Sequence, residues 1–144
     1  MRSIKDPRHI ARILAVMDLY NHFFGKQIEG SDSLNTEELE IGNYAKKIRE
    51  SIFNGVKERY VDIDELINKY SDPVKTEDLD LVQLQIVRAA VFEGFVQKSI
   101  PPKVAVDEAI ELVRDFGMEM STKKIAGILG KIFEKLVKED PENK

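Results

Sequence analysis

Few side chains in this sequence could carry out catalysis, and their spacing does not bring them together. The 144 residues include two histidines, His9 and His22, and no cysteine. On one helix these histidines would lie roughly 220° apart, so they could not share a site there. Asp18 and His22 are four residues apart and could act as a base and its orienting partner. No nucleophile accompanies them, and a surface pair on a helix is the favoured interpretation.

Motifs for metal, nucleotide and calcium binding are also missing. The chain has no His-Glu-x-x-His, no Walker loop and no Gly-x-Gly-x-x-Gly, and no histidine follows His22 to build a di-iron bundle. Asp62 and Asp64 could begin a calcium loop, but Ile67 stands where that loop requires glycine. The carboxylates Glu108 and Glu111 fit a solvated helix face. We therefore expect no enzymatic activity, no metal and no cofactor.

A group of cations near the N-terminus is the clearest indication of a ligand. Four basic side chains fall along one edge of the first predicted helix, and we call them the basic edge: Lys5, Arg8, His9 and Arg12. Guanidinium groups and the positive N-terminal end of a helix both favour phosphate. Residues 1–28 carry five Lys or Arg against two Asp or Glu, whereas residues 29–80 carry seven against fourteen. This distribution predicts a local anion site, and the alternative is an ordinary solvated helix end.

Two further features bear on RNA binding. Lys123 and Lys124 open the last predicted helix and could form a second basic contact. Single-stranded RNA sites also use aromatic side chains on which bases stack. Tyr20 is the polar aromatic near the basic edge, and it could equally be a core residue with a satisfied hydroxyl.

The spacing of apolar residues predicts helices nearly throughout. Asp6 followed by Pro7 starts a first helix, whose apolar face carries Ile10, Leu14 and Met17, and Gly25 ends it. Residues 25–35 are polar and predict a loop. The other predicted helices run from Thr36 or Gly42 to Arg59, briefly after Asp62, from Asp78 to Gln97, from Pro101-Pro102 to Phe116-Gly117, and from Ser121 to about Val137, with a break at Ser71-Asp72-Pro73.

Some residues inside these helices need an explanation. The fourth helix is apolar almost all round, as is typical of a central helix. Arg88 in this helix could pair with Glu108 on the next one, and Glu93 could mark an edge used by another protein. Gly127 and Gly130 each cost about 1 kcal/mol against alanine in a helix, and close helix packing is the simplest reason for them.

Length and composition support one all-α domain over residues 1–144, with a disordered tail from about residue 139. Apolar residues make up 42% and charged residues 33% of the chain, which excludes a disordered protein. No apolar run approaches the roughly 18 residues that span a bilayer, and the N-terminus lacks the apolar stretch of a signal peptide. We expect a cytoplasmic protein that does not contact membranes.

The central and N-terminal motifs closely resemble the NusB family. Residues 86–93 read Ile-Val-Arg-Ala-Ala-Val-Phe-Glu, and residues 100–117 read Ile-Pro-Pro-Lys-Val-Ala-Val-Asp-Glu-Ala-Ile-Glu-Leu-Val-Arg-Asp-Phe-Gly. Ala11 to Tyr20 matches the family pattern Ala-Arg-x-x-Ala-x-x-x-Leu-Tyr. The match covers essentially the whole chain. It implies an all-α fold of two packed three-helix bundles in a single domain.

The resemblance also implies a function. NusB proteins bind the boxA segment of nascent RNA through an arginine-rich N-terminal stretch. They pair with NusE, a small-subunit ribosomal protein, in antitermination complexes with the transcription elongation machinery on ribosomal RNA operons. Arg8 and Arg12 occupy arginine positions of that stretch, while His9 replaces an arginine often found there. Tyr20 and Glu93 match family residues near the partner surface.

The last helix departs from the family pattern, which leaves alternatives open. Residues 124–130 read Lys-Ile-Ala-Gly-Ile-Leu-Gly where the family often shows Phe-Val-Asn-Gly-Val-Leu-Asp. Lys124 thus replaces an aromatic that the family uses beside RNA. One alternative is a NusB-fold interaction scaffold or homodimer with weakened or lost RNA recognition. Another is the NusB-like domain of ribosomal RNA cytosine methyltransferases, which would need a separate catalytic chain.

Overall fold

The computed structural model describes residues 6–25 and 42–139. Within these ranges the chain forms five α-helices: α1 (Pro7–Phe24), α2 (Gly42–Tyr70), α3 (Leu81–Val91), α4 (Pro102–Asp115) and α5 (Thr122–Glu139). The all-α prediction is confirmed. Two compact units divide at Glu58–Arg59, inside α2. Lys5, most of the predicted loop and all but the first residue of the predicted tail lie outside the described residues.

Helix α1 begins and ends where the local signals predicted. The Asp6 carboxylate accepts a hydrogen bond from the backbone N–H of Arg8 at 2.9 Å, and Pro7 follows as the first helical residue. Gly25 ends the helix in the left-handed region at φ 62°, and its N–H donates to the carbonyl of Asn21 at 3.1 Å. Both ends therefore follow from residues adjacent in sequence.

Helix α2 is longer than the sequence analysis predicted. It runs without interruption to Tyr70, so the predicted end at Arg59 and the separate short helix after Asp62 are wrong. No proline or glycine follows Gly55 before the helix ends. Four fully buried side chains keep helical spacing across the expected gap: Ile52, Val56, Ile63 and Ile67. The break at residues 71–73 is confirmed.

Helix α3 is central to the second unit, as predicted. Its N-cap is Asp80, whose carboxylate accepts from the N–H of Val82 at 2.8 Å, so the helix begins after a short 3-10 turn at Thr76–Asp78. Every residue from Gln83 to Val91 is buried, and the helix packs against α4 and α5. It continues into a π-helical turn at Phe92–Val96, which precedes the predicted end at Gln97.

Close packing occurs at a different glycine from those predicted. A Cβ at Gly127 or Gly130 would meet nothing within 4 Å, so close helix packing does not explain these two residues. At Gly94, in the π-helical turn, a Cβ would lie 2.8 Å from Phe133 Cζ and 2.9 Å from Ala105 Cβ. The absence of a side chain at Gly94 allows this turn to approach α4 and α5.

None of the described helices combines the length and the apolar character that crossing a bilayer requires.

Candidate functional site

Arg8 is the exposed cation at the start of α1. Its side chain is 59% exposed, and its Nε lies 3.4 Å from Asp6 Oδ1. The N–H of Arg8 lowers the pKa of the Asp6 carboxyl, with a further contribution from the guanidinium. Asp6 therefore stays ionised and holds Arg8 through a weak, solvated contact. A phosphate could replace this contact, because an exposed ion pair is easily exchanged.

Two residues of the basic edge, His9 and Arg12, are buried. His9 is 1% exposed and Arg12 is 8% exposed, which answers for these two residues a question that the sequence leaves open. Val16 and Leu19 extend the same stripe of the helix and are also buried. Val16 and Leu19 follow Arg12 by four and seven residues, a helical spacing that indicates a buried face including Arg12. Lys5 lies outside the described residues.

Helices α1 and α2 lie side by side in the first unit with the same direction. Ala45 packs in one apolar cluster with Ala11 and Leu14, near the start of both helices. Further along, the Arg49 guanidinium donates to both carboxylate oxygens of Asp18, at 2.6 and 2.8 Å. This hydrogen-bonded pairing raises the pKa of Arg49. The sequence analysis had considered His22 as the partner of Asp18 and missed Arg49.

The order of the ring contacts agrees with this direction. His22, near the end of α1, meets the Phe53 ring edge-on at 5.8 Å between centroids. From the start of α1 to its end, the contacting residues of α2 therefore also move toward the C-terminal end of α2. The N-terminal ends of α1 and α2 consequently lie at the same end of the first unit.

The two residues predicted at a protein-partner surface differ in accessibility. Tyr20 is partly exposed, and its ring lies 5.3 Å from that of Phe24. Glu93 lies in the π-helical turn after α3 and is only 5% exposed. Its backbone carbonyl accepts from the N–H of Ser99 at 3.0 Å. Glu93 is therefore not an exposed edge of the helix, and partner contacts at Glu93 and Tyr20 stay predictions.

Arg88 is held within the second unit. Its Nε and Nη2 donate to the two carboxylate oxygens of Asp64 at 2.9 and 2.6 Å, and Tyr60 lies 5.4 Å from its guanidinium carbon. From the sequence, Arg88 could pair with Glu108; the structure pairs it with Asp64, which lies beyond the predicted end of the second helix at Arg59. Only 7% of the Arg88 side chain is exposed, so the pair stabilises α3 against α2.

Lys123 and Lys124 form a basic surface on the second unit. Both are exposed on the first turn of α5, and the preceding turn carries Met120, which is 99% exposed. The Gln83 side-chain amide donates to Ser121 Oγ at 2.9 Å and thereby holds this turn against α3. The two predicted lysines therefore stand together, accessible to an anion, beside an exposed apolar side chain.

A metal site would need several ligating side chains close together. No three His, Asp or Glu side chains of residues 6–25 and 42–139 gather into such a group.

Comparisons with known proteins agree with the resemblance. A family model described as the NusB family matches residues 9–134. The transcription antitermination protein NusB of Halothermothrix orenii is 33% identical over 135 residues, which cover 91% of this chain and 99% of that relative. A Thermotoga maritima NusB structure is 30% identical with a TM-score of 0.67 and covers 94% of each chain. A structure of antitermination factors NusB and NusE in complex with dsRNA has a TM-score of 0.73 at 24% identity, covers 90% of this chain and 97% of its own, and supports the fold alone.

Proposed function

The chain belongs to the NusB family, and from this membership we propose that it is an RNA-binding transcription antitermination factor. It binds boxA-like RNA of ribosomal RNA operons together with NusE, within the transcription elongation complex and in the cytoplasm. The proposed role involves no catalysis and uses residues 1–144 as one functional domain. The family match over residues 9–134 is the observation that carries this proposal.

Arg8 is the residue of α1 to which we assign a phosphate contact. Its guanidinium has five N–H donors in a planar fork that suits phosphate oxygens, and its exposure leaves room for one. The buried positions of His9 and Arg12 suit a supporting role behind Arg8 in this conformation. Lys5 precedes this turn in the sequence and belongs to the same proposed surface.

Lys123 and Lys124 supply a second phosphate contact on the second unit. Lysine is a compact cation that neutralises phosphate without fixing its orientation, so these residues add affinity rather than sequence preference. In this proposal NusE supplies much of the sequence recognition, and Tyr20 lies on the surface that meets NusE.

Titration of labelled RNA tests the proposal directly. A single-stranded boxA-like oligonucleotide and a scrambled one of equal composition would be titrated with the protein, with and without NusE, at two salt concentrations. We expect tighter binding of the boxA-like strand, stronger with NusE, and weaker binding at the higher salt concentration. Equal binding of the two strands in both conditions would remove the RNA-reading role.

A NusB-fold scaffold or homodimer without specific RNA recognition is the second candidate. The burial of His9 and Arg12 and the replacement of an aromatic by Lys124 favour it. Light scattering of the purified protein and a NusE binding assay without RNA distinguish the two candidates. A stable dimer that binds NusE and binds the boxA-like and scrambled strands equally would establish the scaffold function.

A further inference from the structure

Tyr44 is an exposed aromatic residue, whereas the apolar spacing of the second predicted helix counts it among the buried residues. It lies on the first turn of α2 and is 70% exposed, compared with 38% for Tyr60 on the same helix. An exposed phenol ring has two faces available for stacking. Tyr20, which the sequence analysis considered for this role, is less exposed and contacts Phe24.

The direction of the helices places Tyr44 at the same end of the first unit as Arg8. Ala45 packs in one cluster with Ala11 and Leu14, and Ala11 is three residues after Arg8 on α1. Because α1 and α2 run in the same direction, the first turns of both helices lie at one end. Tyr44 and the exposed guanidinium of Arg8 therefore share that end.

The first turns of α2 carry cations near Tyr44. Residues 42–49 contain two lysines and one arginine and no Asp or Glu, and Glu40 and Glu50 flank this run. Arg49 is neutralised by Asp18, but Lys47 is exposed and lies three residues from Tyr44, on the same side of the helix. Proteins that bind single-stranded nucleic acids combine aromatic rings with cations, because the bases stack on the rings and the cations neutralise the phosphates.

We propose that Tyr44 and Lys47 form an additional contact for single-stranded RNA, in which a base stacks on the Tyr44 ring and Lys47 meets a neighbouring phosphate. The contact rests on the proposed function and extends the surface that begins at Arg8. The contact would provide a stacking ring on α2. The last helix has Lys124 at the position where the family often has an aromatic residue.

The absence of tryptophan from the chain allows a local test. The variant Tyr44→Trp contains one tryptophan, whose fluorescence a stacked base quenches. The matched control is Val61→Trp, at a position that is 56% exposed on the same helix and belongs to the second unit. Titration with the boxA-like RNA should quench the first variant and leave the second unchanged.

Affinity measurements provide the second readout. Tyr44→Ala should weaken RNA binding at least about fivefold, as expected for the loss of one stacked base, while Tyr44→Phe keeps the ring and the affinity. Lys47→Gln should lower the slope of log affinity against log salt by about 0.7, the value for one single-strand phosphate. Circular dichroism and melting temperature establish that each variant is folded.

The outcomes separate this inference from the function on which it rests. If wild type binds boxA-like RNA but Tyr44→Ala binds equally well and Tyr44→Trp is not quenched, the contact is wrong and the function stands. Quenching of Tyr44→Trp by NusE alone would make this a protein surface and overturn the RNA contact. If wild type binds no RNA in any condition, the proposed function and this contact both fail.

Discussion

Asp18 and Arg49 form a bidentate ion pair that joins α1 to α2. Both oxygens of the carboxylate accept from the guanidinium, and the two side chains are only 25% and 20% exposed. The pair lies one helical turn or more beyond the contact of Ala45 with Ala11 and Leu14, so it holds the two helices in the same direction. The arrangement of Arg8 and Tyr44 at one end depends on this direction.

Removal of Arg49 should therefore destabilise the protein. Arg49→Ala leaves the partly buried Asp18 without its two donors, and we expect the free energy of unfolding to fall by about 1–3 kcal/mol. Urea denaturation followed by circular dichroism measures this change. The exposed neighbour Lys47→Ala is the control and should change stability by less than about 0.5 kcal/mol. Equal effects of the two variants would show that the pair contributes little.

Asp6 should stabilise α1 in a pH-dependent way. Asp6→Ala removes the N-cap acceptor and should cost about 1 kcal/mol, whereas Asp6→Asn retains an acceptor and costs less. Because the N–H of Arg8 lowers the pKa of Asp6 from 3.8, the charged cap contributes fully above that value. The contribution is lost as the pH falls through the lower pKa of the folded state.

Melting temperatures of wild type and Asp6→Asn, measured at about pH 7 and about pH 2.5, test this sign. The advantage of wild type should shrink at the acidic pH, because a larger fraction of the Asp6 carboxyl is protonated there. An advantage that grows on acidification would contradict the role of the ionised Asp6 cap.

Alanine should have opposite effects at Gly94 and Gly130. The new Cβ at Gly94 would lie within 3.0 Å of Phe133 and Ala105, and we expect a loss of about 1–3 kcal/mol. At Gly130 the Cβ meets nothing within 4 Å, so Gly130→Ala should stabilise α5 by up to about 1 kcal/mol. Thermal unfolding of both variants gives the comparison, and a stabilised Gly94→Ala would contradict the close approach.

Arg8 and Arg12 should affect RNA binding differently. Arg8→Ala removes an exposed cation and should lower the salt slope of RNA binding by about 0.7. Arg12→Ala removes a buried side chain, so it should lower the melting temperature and leave the salt slope unchanged. The exposed Lys103 on α4 is the control, and Lys103→Ala should alter neither quantity. A lower slope for Arg12→Ala alone would show that RNA binding exposes Arg12.

Some structural features follow from residues close in sequence. The cap at Asp6, the stop at Gly25 and the start of α4 after the proline pair are local, because each depends on the backbone preferences of neighbouring residues. The all-round apolar pattern of α3 similarly predicted its central place. Motifs at residues 86–93 and 100–117 predicted the family that the comparisons confirmed.

Other features depended on contacts between distant residues. Helical spacing places His9 and Arg12 on a basic edge beside the apolar face of Ile10 and Leu14, but it does not show whether that edge is exposed. In the structure α1 buries both residues. The partner of Arg88 is 24 positions away, on the part of α2 that was predicted to be broken. Gly94 was not considered, since its close neighbours come from α4 and α5.

The amino-acid sequence by itself determined the all-helical class, most helix ends and the membership of the NusB family, because caps, breakers and apolar spacing act over one or two turns. The tertiary structure alone decided which cations reach solvent, which carboxylates hold Arg49 and Arg88, and that Tyr44 shares an end with Arg8. These depend on how helices remote in sequence pack together, and burial and ion pairing are properties of that packing.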